Sequence, residues 1–202
     1  LCDRRQRQMC IRDSNGLKKR LEFCVDLFMN RIYDPSRRHF NLFFDNEWNS
    51  LVEMDSYGHD VETGWLLCEA ARTLENQDLI KRTNLLALDV TGACLAEGMS
   101  DKGYMIYEKK GDRKTKHASW WGQVETMIAC VNAWQISGDE AWLQSADTVW
   151  TFVKDHMVDK EYGEWYSDCF DGEPKKGAPK VSMWRCPYHT VRLGVEMYNR
   201  LK

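Results

Sequence analysis

Two histidines stand where imidazole chemistry is easiest to arrange. His59, in Ser56-Tyr57-Gly58-His59-Asp60-Val61-Glu62, and His189, in Trp184-Arg185-Cys186-Pro187-Tyr188-His189, each fall just inside the predicted start of a helix. The positive end of a helix favours the neutral imidazole, which can act as a base, and stabilises negative charge that develops on a substrate. Glu62 follows His59 by three residues on one helical face and can orient the ring or balance its protonated form. Two bases facing each other across a pocket suit removal of a proton next to a carbonyl and its return to the opposite face. H-x-x-E is also an ordinary side-chain pair, and a first-turn glutamate is a common cap. The catalytic reading therefore depends on the fold bringing the two imidazoles together. His39, His117 and His156 have polar neighbours and read as surface residues.

Aromatic residues extend the same pattern. Trp120-Trp121, followed by Gln123 and Glu125, opens another predicted helix, and Trp184 precedes His189 by five residues. Indole faces stack on the apolar C–H faces of sugars, so Trp120, Trp121, Trp184 and Glu125 read as substrate-binding residues for a carbohydrate. Any one of these tryptophans could instead fill the core.

The elements that must position these residues form a repeat. Helices are predicted over about 16–32, 58–74, 78–97, 120–136, 140–157 and 187–201, with short strands at 40–45, 103–108 and 162–166. The unit recurs every 60 to 65 residues, and Glu62, Glu125 and His189 fall at spacings of 63 and 64. The helices starting near 58, 120 and 187 are apolar nearly all round and should be buried. Those starting near 16, 78 and 140 are amphipathic and should face water on one side. Alternating inner and outer helices describe an all-α toroid, and six helices make half of a twelve-helix ring. The inner helices run parallel, so their N-termini gather at one mouth.

Composition excludes several classes. The first fourteen residues lack apolar periodicity, and Arg7-Gln8-Met9-Cys10-Ile11-Arg12-Asp13-Ser14 resembles translated sequencing-adapter read-through. Residues 1–15 are thus expected to be an artefactual, disordered leader, and 16–202 the folded body. The leader holds four Arg and two Asp, so the −3 of the whole chain becomes −5 for the body. That is a poor platform for nucleic acid, which needs a basic stripe. No apolar run reaches the ~18 residues of a membrane span. Six cysteines are scattered through the body without C-x-x-C or zinc spacing, and most lie on apolar helix faces, which suits buried free thiols in a reducing cytoplasm.

Phe43-Phe44-Asp45 with Trp48, Ser56 to Glu62, Trp120-Trp121-Gly122-Gln123-Val124-Glu125, Tyr162-Gly163-Glu164-Trp165 and Trp184 to His189 together resemble the C-terminal half of the cellobiose 2-epimerases. Those enzymes are similar to N-acylglucosamine 2-epimerases, all (α/α)6 barrels, and the resemblance runs in order over about residues 16–202. It implies epimerisation, without cofactor or metal, at C2 of the reducing-end sugar of β-1,4-linked disaccharides: cellobiose to glucosyl-mannose, lactose to epilactose. It implies His59 and His189 as the two acid/base residues, with His189 also opening and closing the sugar ring. Glu62 would support His59, and Trp121 and Trp184 would stack on sugar. The route is a cis-enediol, with rotation about C2–C3. The family's N-terminal half, including an arginine that contacts sugar oxygens, has no counterpart here.

Half a ring uncovers the inner helices at each end, and each exposed Leu- or Phe-sized side chain forfeits ~1.5–3 kcal/mol. The chain as written is therefore expected to be poorly soluble or inactive. Competing expectations are an N-acylglucosamine 2-epimerase or aldose–ketose isomerase, a glycan hydrolase using Asp60, Glu62 and Glu125, and an inactive fragment or carbohydrate-binding helical module.

Overall fold

The computed structural model describes residues 14–202, so the expectation for the leader falls almost wholly outside the described residues. Six α-helices carry these residues: α1 (Asn15–Leu27), α2 (Tyr57–Leu74), α3 (Gln77–Gly98), α4 (Trp120–Ser137), α5 (Ala141–His156) and α6 (Tyr188–Arg200). A π-helical turn, Phe28–Ile32, extends α1. The predicted helix boundaries hold to within a few residues because the chain punctuates them. Asn76 caps α3 by accepting from the Leu79 N–H, and Gly138, at φ 74°, ends α4.

Helix α4 is the centre of the arrangement. Every residue from Gly122 to Ala133 is buried, as its all-round apolar composition predicts. It packs against α2 on one side and α6 on the other, making an inner layer of three helices. Outside them, α3 packs against α2 and α4, and α5 against α4. Alternate helices therefore stand inside and outside, as expected for half of a toroid.

Helix α6 departs from expectation. Only Leu193 is buried, while Tyr188, Val191, Val195 and Tyr198 are exposed. It is the terminal helix of the inner layer, and nothing among the described residues covers its far flank.

The strands also differ in place. Instead of 40–45, 103–108 and 162–166, the ladders are β1 (Tyr33–Asp34) with β2 (His39–Phe40), then β3 (Met54–Asp55), β4 (Glu108–Lys110) and β5 (Arg113–Thr115), and finally β6 (His117–Ser119), β7 (Asp168–Phe170) and β8 (Glu173–Pro174). Phe44, Met105 and Trp165 contribute isolated bridges. The predicted runs are apolar because they pack on the helix layer: Tyr104, Met105, Ile106 and Trp165 all belong to the core. The pairing falls instead to polar neighbours that reach water on one face.

His39 is not a surface residue. It is 1% exposed, its Nδ1 lies 2.8 Å from Asp60 Oδ2, and Asp60 Oδ1 accepts from the Phe40 N–H at 2.9 Å. A buried charge persists only where it is paired. This pair ties β2 to the first turn of α2, beside His59. His156 is also partly buried, with its Nδ1 2.8 Å from the Gly172 carbonyl oxygen.

Candidate active site

The N-termini of α2, α4 and α6 open into one cavity of about 520 Å³. It is lined by His59, Glu62, Tyr107, His117, Ser119, Trp120, Trp121, Asp168, Trp184 and His189. Both candidate bases, Glu62 and all three candidate tryptophans thus meet there. Glu125 stands behind His189.

Trp121 lies near both histidines. Its ring centroid is 4.6 Å from that of His59 and 6.0 Å from that of His189. Room for the indole comes from Gly58, where a Cβ would fall 2.6 Å from the Trp121 ring.

Each imidazole is held through Nδ1. The Ser56 hydroxyl lies 2.7 Å from His59 Nδ1. Ser56 occupies the cap position of α2 but makes no capping bond, so its hydroxyl serves the imidazole. His189 Nδ1 is 2.7 Å from Glu125 Oε1, which makes Nδ1 the donor and leaves an Nε2 lone pair on the neutral ring. Glu125 is fully buried and also accepts from Trp65 Nε1 at 2.9 Å.

Arg192 joins the pieces and was missed from sequence. Its Nη1 donates to Glu62 Oε1 at 2.6 Å and to Glu125 Oε1 at 3.0 Å, while its guanidinium lies over the rings of Tyr188 and Trp65. The signal was available: Arg192 follows His189 by three residues, as Glu62 follows His59. Glu62 is therefore bonded to Arg192, and the side chain bonded to His59 is Ser56. Glu62, Glu125 and His189 each offer an atom within 4.8 Å of the others, a spacing that could hold a metal. The Arg192 guanidinium already supplies positive charge to both carboxylates.

The second wall is the β6–β7 ladder. His117, expected at the surface, is partly buried, and burial holds its imidazole below its usual pKa. Its ring stacks on Tyr107 at 4.7 Å and on Phe170 at 5.1 Å. Gln123 binds the Met105 backbone in both directions, each bond 2.8 Å, and the Tyr107 N–H donates to the Thr115 carbonyl at 3.2 Å. Tyr107, Asp168 and Ser119 were also missed, since nothing in their local sequence marks them.

The tryptophans divide. Trp184 is 86% exposed at the rim, on a loop anchored by Arg185, which donates to the Trp165 and Pro179 carbonyls. Trp120 shares the cavity but packs on the core, with the Arg185 guanidinium 5.1 Å from its ring.

The sequence profile of the N-acylglucosamine 2-epimerase (GlcNAc 2-epimerase) family matches residues 11–192. A cellobiose 2-epimerase of Bacteroides fragilis is 38% identical over 186 residues, covering 90% of this chain and 47% of its own length. One from Dictyoglomus turgidum is 34% identical and is covered to 48%. Among solved structures, a sugar epimerase from a ruminal bacterium superposes with a TM-score of 0.89 at 33% identity, over 93% of this chain and 48% of its own. The cellobiose 2-epimerase of Bacillus thermoamylovorans B4167 gives the same TM-score at 32% identity, with the same coverage. The chain spans about half the length of the curated relatives it matches.

Proposed function

The chain belongs to the N-acylglucosamine 2-epimerase family, and from that premise we propose that it carries the acid/base half of a carbohydrate 2-epimerase site acting on β-1,4-linked disaccharides such as cellobiose and lactose. The observation that carries this reading is that His59 and His189 line one cavity together, both near Trp121 and each held at Nδ1.

The chemistry follows from that placement. With the sugar open and its aldehyde at C1, one neutral imidazole takes the C2 proton through Nε2. The C–H electron pair forms the C1–C2 double bond, and the carbonyl oxygen takes up the displaced electron pair and a proton from solvent to give the cis-enediol. Rotation about C2–C3 turns the other face toward the second imidazole, which, protonated from solvent, gives that proton to C2 while the enediol oxygen releases its own proton to solvent and the aldehyde re-forms. The Glu125 carboxylate holds the His189 ring in the competent tautomer and balances it when protonated. The N-termini of α2 and α6 stabilise the enediolate. Trp121 supplies a stacking face beneath the reacting sugar.

The test uses the chain joined to the N-terminal half of the B. fragilis relative, incubated with lactose and, separately, with N-acetylmannosamine. Epimerised lactose is expected, with His59→Ala and His189→Ala each lowering turnover at least ~100-fold. Preference for N-acetylmannosamine would assign the site to amino sugars instead. Undiminished turnover in both variants would end the two-base reading.

A further inference from the structure

We propose that Ser56 is the positioning residue of His59: its hydroxyl, free of capping duty on α2, holds the imidazole by Nδ1 and reverses its hydrogen bond when the ring changes tautomer. The proposal rests on the epimerase reading and deepens it at one of the two bases.

The repeat contains its own comparison. Ser119 follows Ser56 by 63 residues and Gly122 follows His59 by 63, the spacing that also separates Glu62 from Glu125. Both serines occupy the cap position of an inner helix. Ser119 accepts from the Gly122 N–H at 3.4 Å, as a cap does. Where α4 has Gly122, α2 has His59, and Ser56 turns from the backbone to that imidazole at 2.7 Å. The same residue at the same place in the repeat thus has two tasks, and what differs is the side chain three positions on.

Ser56 is held firmly enough for the second task. It is buried, and it directly follows β3, whose Met54 and Asp55 pair with Lys110 and Lys109 of β4. Its carbonyl accepts from the Asp60 N–H at 2.9 Å. His59, by contrast, is exposed, while Asp55 to Gly58 before it and Asp60 and Val61 after it are buried. Among the described residues its hydrogen-bond partner is Ser56, with the Trp121 ring beside it at 4.6 Å. An exposed imidazole with one hydrogen bond takes its direction from that bond.

A hydroxyl differs from the group that holds His189. The Glu125 carboxylate only accepts, so it admits a ring protonated at Nδ1. A hydroxyl accepts or donates. The Ser56 oxygen accepts from Nδ1–H while Nε2 presents a lone pair to the C2 proton, and still accepts once Nε2 has taken that proton. When the neutral ring carries its hydrogen on Nε2 instead, as a donor to a sugar oxygen, the Ser56 O–H donates to Nδ1. Ser56 transfers no proton in any of these states; it keeps one ring direction through all three.

The test uses the completed chain described above. Ser56→Ala should lower lactose kcat about tenfold, the worth of one good hydrogen bond, and leave KM within about twofold. Ser56→Thr, which restores the hydroxyl, should return kcat to within about threefold of wild type. Ser119→Ala, which loses a capping bond, should melt below wild type, whereas Ser56→Ala should melt close to it. An unchanged kcat in Ser56→Ala, or a loss that Ser56→Thr does not restore, would overturn the proposal. Imidazole 15N resonances, recorded where both rings are neutral, decide it without turnover. His189 should show one tautomer, protonated at Nδ1, and His59 a mixture whose balance changes in Ser56→Ala. A single Nδ1-protonated tautomer on His59, or a mixture indifferent to Ser56→Ala, would overturn it. If wild type epimerises no lactose, the epimerase reading fails first, and these resonances alone decide the role of Ser56.

Discussion

Glu125 is the side chain on which most of the site converges. It is fully buried, and it meets His189, Arg192 and Trp65 at 2.7, 3.0 and 2.9 Å. A buried carboxylate with these partners fixes a tautomer on one side and an ion pair on the other. Glu125→Gln should keep the helical circular-dichroism signal while lowering epimerase turnover ~10–100-fold, because the His189 ring loses its orientation. His59, His189, Glu62 and Glu125 were all readable in the sequence, because helix starts and turn-spaced pairs are local signals. Arg192 carries the same local signal, three residues after His189. His117 and Asp168 were not readable: what makes them cavity residues is a ladder joining segments some fifty positions apart, and no local pattern announces it.

At the scale of elements, the N-termini of α2 and α4 approach so closely that Gly58 admits no side chain. A Cβ there would sit 2.6 Å from the Trp121 ring and 3.2 Å from the Gly122 Cα. Gly58→Ala should therefore destabilise the fold by ~1–3 kcal/mol through overpacking, read as a lower melting temperature, and should cost activity by displacing Trp121 from beside the imidazoles. The start of α2 is also pinned by His39 and Asp60. Burial alone would lower the His39 pKa, but the Asp60 hydrogen bond and charge, with Asp55 and Glu97 beyond, raise it overall above 6.5. Arg37 and Lys109 partner Asp55 in turn. A histidine raised in the folded state contributes stability that is complete below its unfolded value of about 6.5 and is lost as pH rises through the folded value. The melting-temperature advantage of wild type over His39→Asn should therefore be largest below about pH 6.5 and shrink on the alkaline side. An advantage that grew with pH would contradict the pairing. Helix positions were legible here because caps and periodicity are written locally. Strand positions were not, because apolar stretches such as Tyr104 to Ile106 serve the core and leave the ladders to their polar neighbours.

For the whole molecule, the equal spacing of Glu62, Glu125 and His189 has a geometric meaning. Each inner helix presents the same position to the axis, and the three side chains meet within 4.8 Å. A second tier repeats this further along the helices, where Arg200 bonds Glu69 and Asn132. Both tiers bind α2, α4 and α6 into one arc, and the repeat in the sequence was enough to foresee it. It did not foresee how bare α6 would stand: Tyr198 is 71% exposed, and an apolar groove of about 580 Å³ separates α6 from α5. Contiguous apolar surface of this kind drives association. The 202-residue chain alone should elute from a sizing column as aggregates and show no turnover, whereas the completed chain should be dispersed. An active, monodisperse 202-residue protein would show that the arc needs no second half. The most direct measurement of the central chemistry is epimerisation of lactose by the completed chain in D2O, with C2 of the product read by NMR. Proton exchange between opposed imidazoles predicts one solvent deuterium at C2 in each new epimer; a product that keeps its original C2 protium would contradict it.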